Sequence, residues 1–93
     1  MSGTYCFSVH AEPSASALPR VVEVFALHGH LPSRCHAQVS GPAGGGTAEL
    51  VVDLQMADIS AHQAALLAKR LGRVVDVRTV LWSEKRVAAA AAA

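Results

Sequence analysis

Apolar and polar positions along this chain alternate with two different periods, and each change of period marks the edge of an element. Thr4 to His10 alternates strictly, with Tyr5, Phe7 and Val9 on one side and Cys6, Ser8 and His10 on the other. That predicts a half-buried strand. Ala11 to Ala15 is the loop into a helix, where Leu18, Val21, Val22 and Phe25 fall at the i, i+3, i+4, i+7 spacing of one apolar face. Ser16 is placed to cap its first N–H groups. Pro19 sits in the first turn, where no intrahelical acceptor is needed, and Gly29 supplies the stop.

The period of two returns from Leu31 to Ser40, with Leu31, Cys35, Ala37 and Val39 on one side. Pro32 cannot donate to a ladder, which points to an edge strand or to a strand's first residues. Gly41 to Thr47 reads as a hairpin loop; it lacks the Gly-Lys-Ser/Thr and following helix of a phosphate-binding loop. Ala48 to Met56 is a third strand, with Leu50, Val52, Leu54 and Met56 turned one way. Ser60 and Gln63 form a capping box for a second helix. It runs to about Leu71, with Ala64, Leu67, Ala68 and Leu71 on its buried face. Lys69 and Arg70 suit its negative end, and Gly72 stops it. Val74 to Trp82 is the fourth strand.

The order β-α-β-β-α-β predicts an α+β, ferredoxin-like fold: a four-stranded antiparallel sheet with both helices on one face and the second strand at an edge. The other face would carry Ser8, His10, Arg34, His36, Gln38, Asp53, Gln55, Asp76 and Arg78. One domain is expected over residues 1–86, followed by an alanine-rich tail over 87–93, unstructured or helical, with no assigned role.

Composition sharpens this picture in three ways. Hydrophobic residues are 52% of the 93 and aromatics only 4%, so the core must be aliphatic. A net charge of +1 gives no footprint for nucleic acid. The ferredoxin-like order is shared with RNA-recognition domains, but the inner strands here lack the base-stacking aromatics those domains need. The two cysteines, Cys6 and Cys35, do not have CxxC spacing, no basic-then-apolar leader is visible, and no 18 apolar residues run together. A cytoplasmic domain without a membrane span is expected.

Three constellations invite chemistry. His28, His30, Cys35 and His36 are close in sequence, but a helix end separates the first pair and opposite strand faces separate the second, so no metal is expected. Ser8, His10 and Asp53 could form a triad, yet no nucleophile elbow is present and no reaction is expected. The start of the first helix, with its free N–H groups and positive dipole end, is the best anion site in the chain. Pro13, Ser14, Ala15, Ser16 and Ala17 would supply it, with His30 and Leu31 at the start of the second strand reading a side chain.

Leu18-Pro19-Arg20-Val21, then Phe25 and Gly29, then Val74-Val75-Asp76-Val77 resemble, in order and spacing, the ACT domain of acetolactate synthase small subunits. The resemblance spans roughly Tyr5 to Trp82 and is nearest to the short, single-domain isozyme II type. It implies a regulatory subunit with no activity of its own, binding and activating the catalytic subunit of branched-chain amino-acid synthesis. It implies a homodimer with an amino-acid effector between domains, and places thiamine diphosphate, Mg and FAD in the partner only. Where the family carries an Asn, a Gly and a second Asn at that effector site, this chain has Pro13, Ser16 and Leu31. Each lost polar partner for a bound amino acid costs about 1–3 kcal/mol. Weak or absent valine sensitivity is therefore expected. The alternative reading is a stand-alone ACT sensor of another small metabolite.

Overall fold

The computed structural model describes residues 2–41 and 47–86. Its elements are β1 (Ser2–Ala11), α1 (Ala17–Leu27), β2 (Arg34–Ser40), β3 (Glu49–Ser60), α2 (Ala61–Leu71) and β4 (Val77–Glu84). The strands form one antiparallel sheet in the order β2-β3-β1-β4. This is the ferredoxin-like arrangement expected, with β2 at an edge. Most of the Gly41–Thr47 loop and the alanine tail lie outside the described residues.

The core lies between one sheet face and the helices. β1 contributes Tyr5, Phe7, Val9 and Ala11, and β3 contributes Leu50, Val52, Leu54 and Met56, each buried as the period of two requires. Ala64, Leu67, Ala68 and Leu71 of α2 cover them. The face of α1 is turned from the one predicted. Ala17, Val21, Val24 and Phe25 are buried, Leu18 is half-buried, and Val22 is exposed. At about 100° per residue, Ala17, Val21 and Val24 lie within one narrow stripe and Val22 falls on its flank. Phe25 fixes this rotation by meeting Phe7 edge to face, with ring centroids 5.6 Å apart at 81°.

Two bulges explain the remaining departures. β3 runs past Met56 because Ala57 and Asp58 together oppose Thr4, with Asp58 at φ 59°. The extra residue shifts the phase and turns Ile59 inward, where it is buried. In β4, His10 pairs with Thr79 but Ala11 pairs with Val77, leaving Arg78 as the bulged residue. Beyond it Val80 and Trp82 share the helix side with Val9 and Phe7, while Leu81 faces outward beside Ser8. β2 starts at Arg34, so Leu31 precedes the strand and is 87% exposed. Ala37 packs against the core, but Cys35 and Val39 on the same side are exposed because no helix reaches over this edge.

The helix ends also differ from one another. Ser60 accepts a bond from the Gln63 N–H at 3.1 Å and the Gln63 side chain accepts from the Ser60 N–H at 2.8 Å, completing the capping box. Ser16 makes no such side-chain bond, because its backbone is already helical at φ −90°, ψ −10°. Gly29 takes the left-handed conformation at φ 73°, but Gly72 ends α2 in a right-handed one at φ −64°. Its stop therefore comes from the following turn, where Arg73 and Val74 N–H groups bond the Arg70 and Leu71 carbonyls. No described helix is long and apolar enough to cross a membrane.

Two stability predictions follow from this packing. Phe25→Ala should cost about 3–5 kcal/mol in denaturant unfolding, since the ring is fully buried and its cavity has rigid sheet beneath it. Ser60→Ala should cost about 1 kcal/mol, and Ser16→Ala close to nothing, in the same measurement.

Candidate functional site

The segment after β1 is held by its own chain. The Glu12 N–H donates to the Asp76 carbonyl at 2.8 Å, and the Ser14 hydroxyl donates to the Asp76 carboxylate at 2.8 Å. Asp76, expected on the open sheet face, instead precedes β4 and ties this loop down. Ser14 also accepts from the Ala17 N–H at 3.2 Å, which closes the turn into α1. Pro13, Ala15 and Ser16 are left exposed around that turn, with Ala17 buried beneath them.

His30 and Leu31 lie elsewhere. His30 donates its N–H to the Phe25 carbonyl at 2.8 Å, and so belongs to the opposite end of α1. An 11-residue helix is about 16 Å long, so one chain does not bring Pro13–Ala17 and His30–Leu31 together. His28 donates through Nδ1 to the Val24 carbonyl at 2.8 Å, a helix-end contact. Among the described residues no three His, Cys, Asp or Glu side chains converge as metal ligands.

The open face of the sheet holds a second feature, which strand register alone defines. Four residues stand side by side in each row across it. One row is Arg34, Gln55, Cys6 and Ser83; the next is His36, Asp53, Ser8 and Leu81. β1 contributes only a thiol and a hydroxyl, while Arg34, His36, Gln55 and Leu81 around them are longer. A cavity of about 480 Å³ results, within the usual ~300–1,000 Å³ range of small-ligand sites. At one end Lys85 reaches across the sheet to the Gln55 carbonyl oxygen at 3.3 Å. The next row at the other end is Gln38, Val51, His10 and Thr79.

That other end is a fixed polar chain. Ser8 Oγ lies 3.2 Å from His10 Nε2, and His10 Nδ1 lies 3.0 Å from the Glu49 carboxylate. Arg78, displaced onto this side by the β4 bulge, pairs with Glu12 and stands 3.6 Å from Glu49. The His10 hydrogen bond, with the Arg78 guanidinium beside it, holds the Glu49 carboxyl below its ordinary value. The bond to Glu12 raises Arg78 further above its already high value. Ser8 and His10 thus have an acid partner, but it is Glu49; Asp53 of the imagined triad stands on the other side of Ser8. Leu81 escaped the sequence reading because the β4 bulge that sets its facing has no sequence signature, and Glu49 because its contact with His10 depends on the register of β3 against β1.

Residues 2–89 match the family described as ACT-like domain, and the chain belongs to that family. No curated protein matches it. The chain is similar to the crystal structure of the ACT domain from GTP pyrophosphokinase of Chlorobium tepidum. The TM-score is 0.68 at 12% identity, over 89% of this chain and 100% of that one. It is also similar to the C-terminal domain of the MgtC protein of Mycobacterium tuberculosis, with TM-score 0.59 and 19% identity over 90% and 88% of the two chains. The B. subtilis GlnK–ATP complex aligns with TM-score 0.57 and 14% identity over 91% and 84%. At these identities the likeness is one of fold.

Because the Glu49 carboxyl is stabilised in its ionised form in the folded state, its contribution to stability is complete above the ordinary value of 4.5 and is lost as pH falls below it. Glu49→Gln should therefore flatten the acid limb of a stability-versus-pH curve below about pH 4.5, and lower the plateau above it by a constant amount, with the largest difference from the parent chain at neutral pH and above.

Proposed function

We propose that this chain is a regulatory subunit without activity of its own, which binds the catalytic subunit of acetolactate synthase and raises its rate. The observation that carries the reading is the ordered set Leu18-Pro19-Arg20-Val21, Phe25, Gly29 and Val74-Val75-Asp76-Val77, found within an ACT-like domain. Thiamine diphosphate, Mg and FAD belong to the partner, and the setting is cytoplasmic branched-chain amino-acid synthesis.

The effector site of this reading needs two copies. Pro13, Ser14, Ala15, Ser16 and Ala17 come from one copy, and His30 and Leu31 from the other, since α1 holds the two groups apart within a chain. A homodimer also suits the exposed Leu27 and Leu31, 76% and 87% accessible, at that end of the helix. Valine sensitivity is weak or absent in this reading. Pro13 has no N–H to offer, the Ser16 side chain occupies space where backbone would have to approach, and Leu31 has no polar side-chain atom.

Mixing the purified chain with an acetolactate synthase catalytic subunit should yield a complex that co-elutes and a several-fold higher rate of acetolactate formation. Micromolar valine should leave that rate unchanged. An unaltered rate with no co-elution would overturn the reading in favour of a stand-alone ACT sensor.

A further inference from the structure

The cavity on the open sheet face has its polar groups sorted into two kinds. In the first row they are donors. The Gln55 carbonyl oxygen accepts from Lys85 at 3.3 Å and faces the Cys6 thiol at 3.9 Å, which leaves the amide nitrogen to donate. The Arg34 guanidinium stands beside it and has no acidic partner among the described residues. Arg34, Gln55 and Lys85 together make a carboxylate-binding end.

In the next row Ser8 and Asp53 are acceptors, and the His36 Nε2–H is taken up by the Gln38 amide oxygen at 3.1 Å. A carboxylate accepts only, so the Glu49 oxygen assigns the proton of a neutral His10 ring to Nδ1. Its Nε2 then accepts the Ser8 proton at 3.2 Å, and the lone pairs of the Ser8 oxygen are left for another donor. Asp53 is the direct cross-strand partner of Ser8 and has no cationic partner among the described residues. Asp53 and Ser8 together make an end for an ammonium group.

Donor and acceptor rows are two residues apart along the strands, a spacing of about 6.6 Å. An α-amino acid carries its two charged groups on a single carbon and is too short to lie across both rows. A molecule with an ammonium and a carboxylate joined by a few methylenes fits the spacing, with its chain beside the 59%-exposed Leu81. We propose that this face of the sheet is a binding site for a short, linear ω-amino carboxylate, separate from the effector site at the ends of α1. The inference stands on the chain alone and does not depend on any catalytic partner.

Isothermal titration of the full chain with 4-aminobutyrate and 5-aminovalerate tests it directly. One of the two should bind saturably, at one molecule per chain, and at least about tenfold more tightly than valine. Arg34→Gln and Asp53→Asn, shown to be folded by circular dichroism, should each weaken that binding by about tenfold or more, the effect of losing one charge-assisted hydrogen bond. No binding of either compound at millimolar concentration would overturn the proposal, as would tighter binding of valine or unchanged affinity in both variants.

Discussion

Everything in this molecule follows from the burial of one side of the sheet beneath two helices. Phe7 and Val9 of β1 and Val52 and Leu54 of β3 are almost wholly removed from water, against Val21 and Phe25 of α1 and Leu67 and Leu71 of α2. Each such side chain contributes roughly 1.5–3 kcal/mol, so a chain this small has few others to rely on. With aromatics so scarce, the Phe7–Phe25 contact sets how α1 is rotated on the sheet. Once α1 is fixed as a straight rod, its two ends are fixed as well. That separation divides the residues expected to bind an effector.

The same burial leaves the opposite sheet face free to be polar. Ser8, His10, Asp53 and Gln55 occupy positions that in a two-sided core would be apolar. Ser8 partners His10, His10 also bonds Glu49, Gln55 accepts from Lys85, and Asp53 is exposed, with no buried side-chain polar atom unsatisfied among the described residues. The cavity there is a product of side-chain length. Cys6 and Ser8 lie low, while Arg34, His36 and Leu81 stand higher.

Much of this was legible in the sequence, and the limits have physical causes. The inward residues of β1, β3 and α2 are readable because a half-buried strand or helix must repeat with its own period. The capping box at Ser60 is readable because its chemistry is local. The rotation of α1 was not, since Val22 and Val24 are chemically alike and only Phe7, distant in sequence, chooses between them. The bulges at Asp58 and Arg78 were hidden for a similar reason. Each is defined by the strand opposite, and each resets which residues face outward. For the candidate site, the sequence named the open-face residues Ser8, Arg34, Asp53 and Gln55, but not that Cys6 and Leu81 turn them into a cavity. It also grouped Pro13–Ala17 with His30 and Leu31, although the helix bounded by Ser16 and Gly29 already parts them within one chain.

The central claim is that the effector site exists only between two copies, because one chain holds its halves at opposite ends of α1. Sedimentation equilibrium of the purified chain at micromolar concentration tests this most directly. The account predicts a single species of twice the 9.6 kDa chain mass. A monomer that persists to high concentration would contradict it.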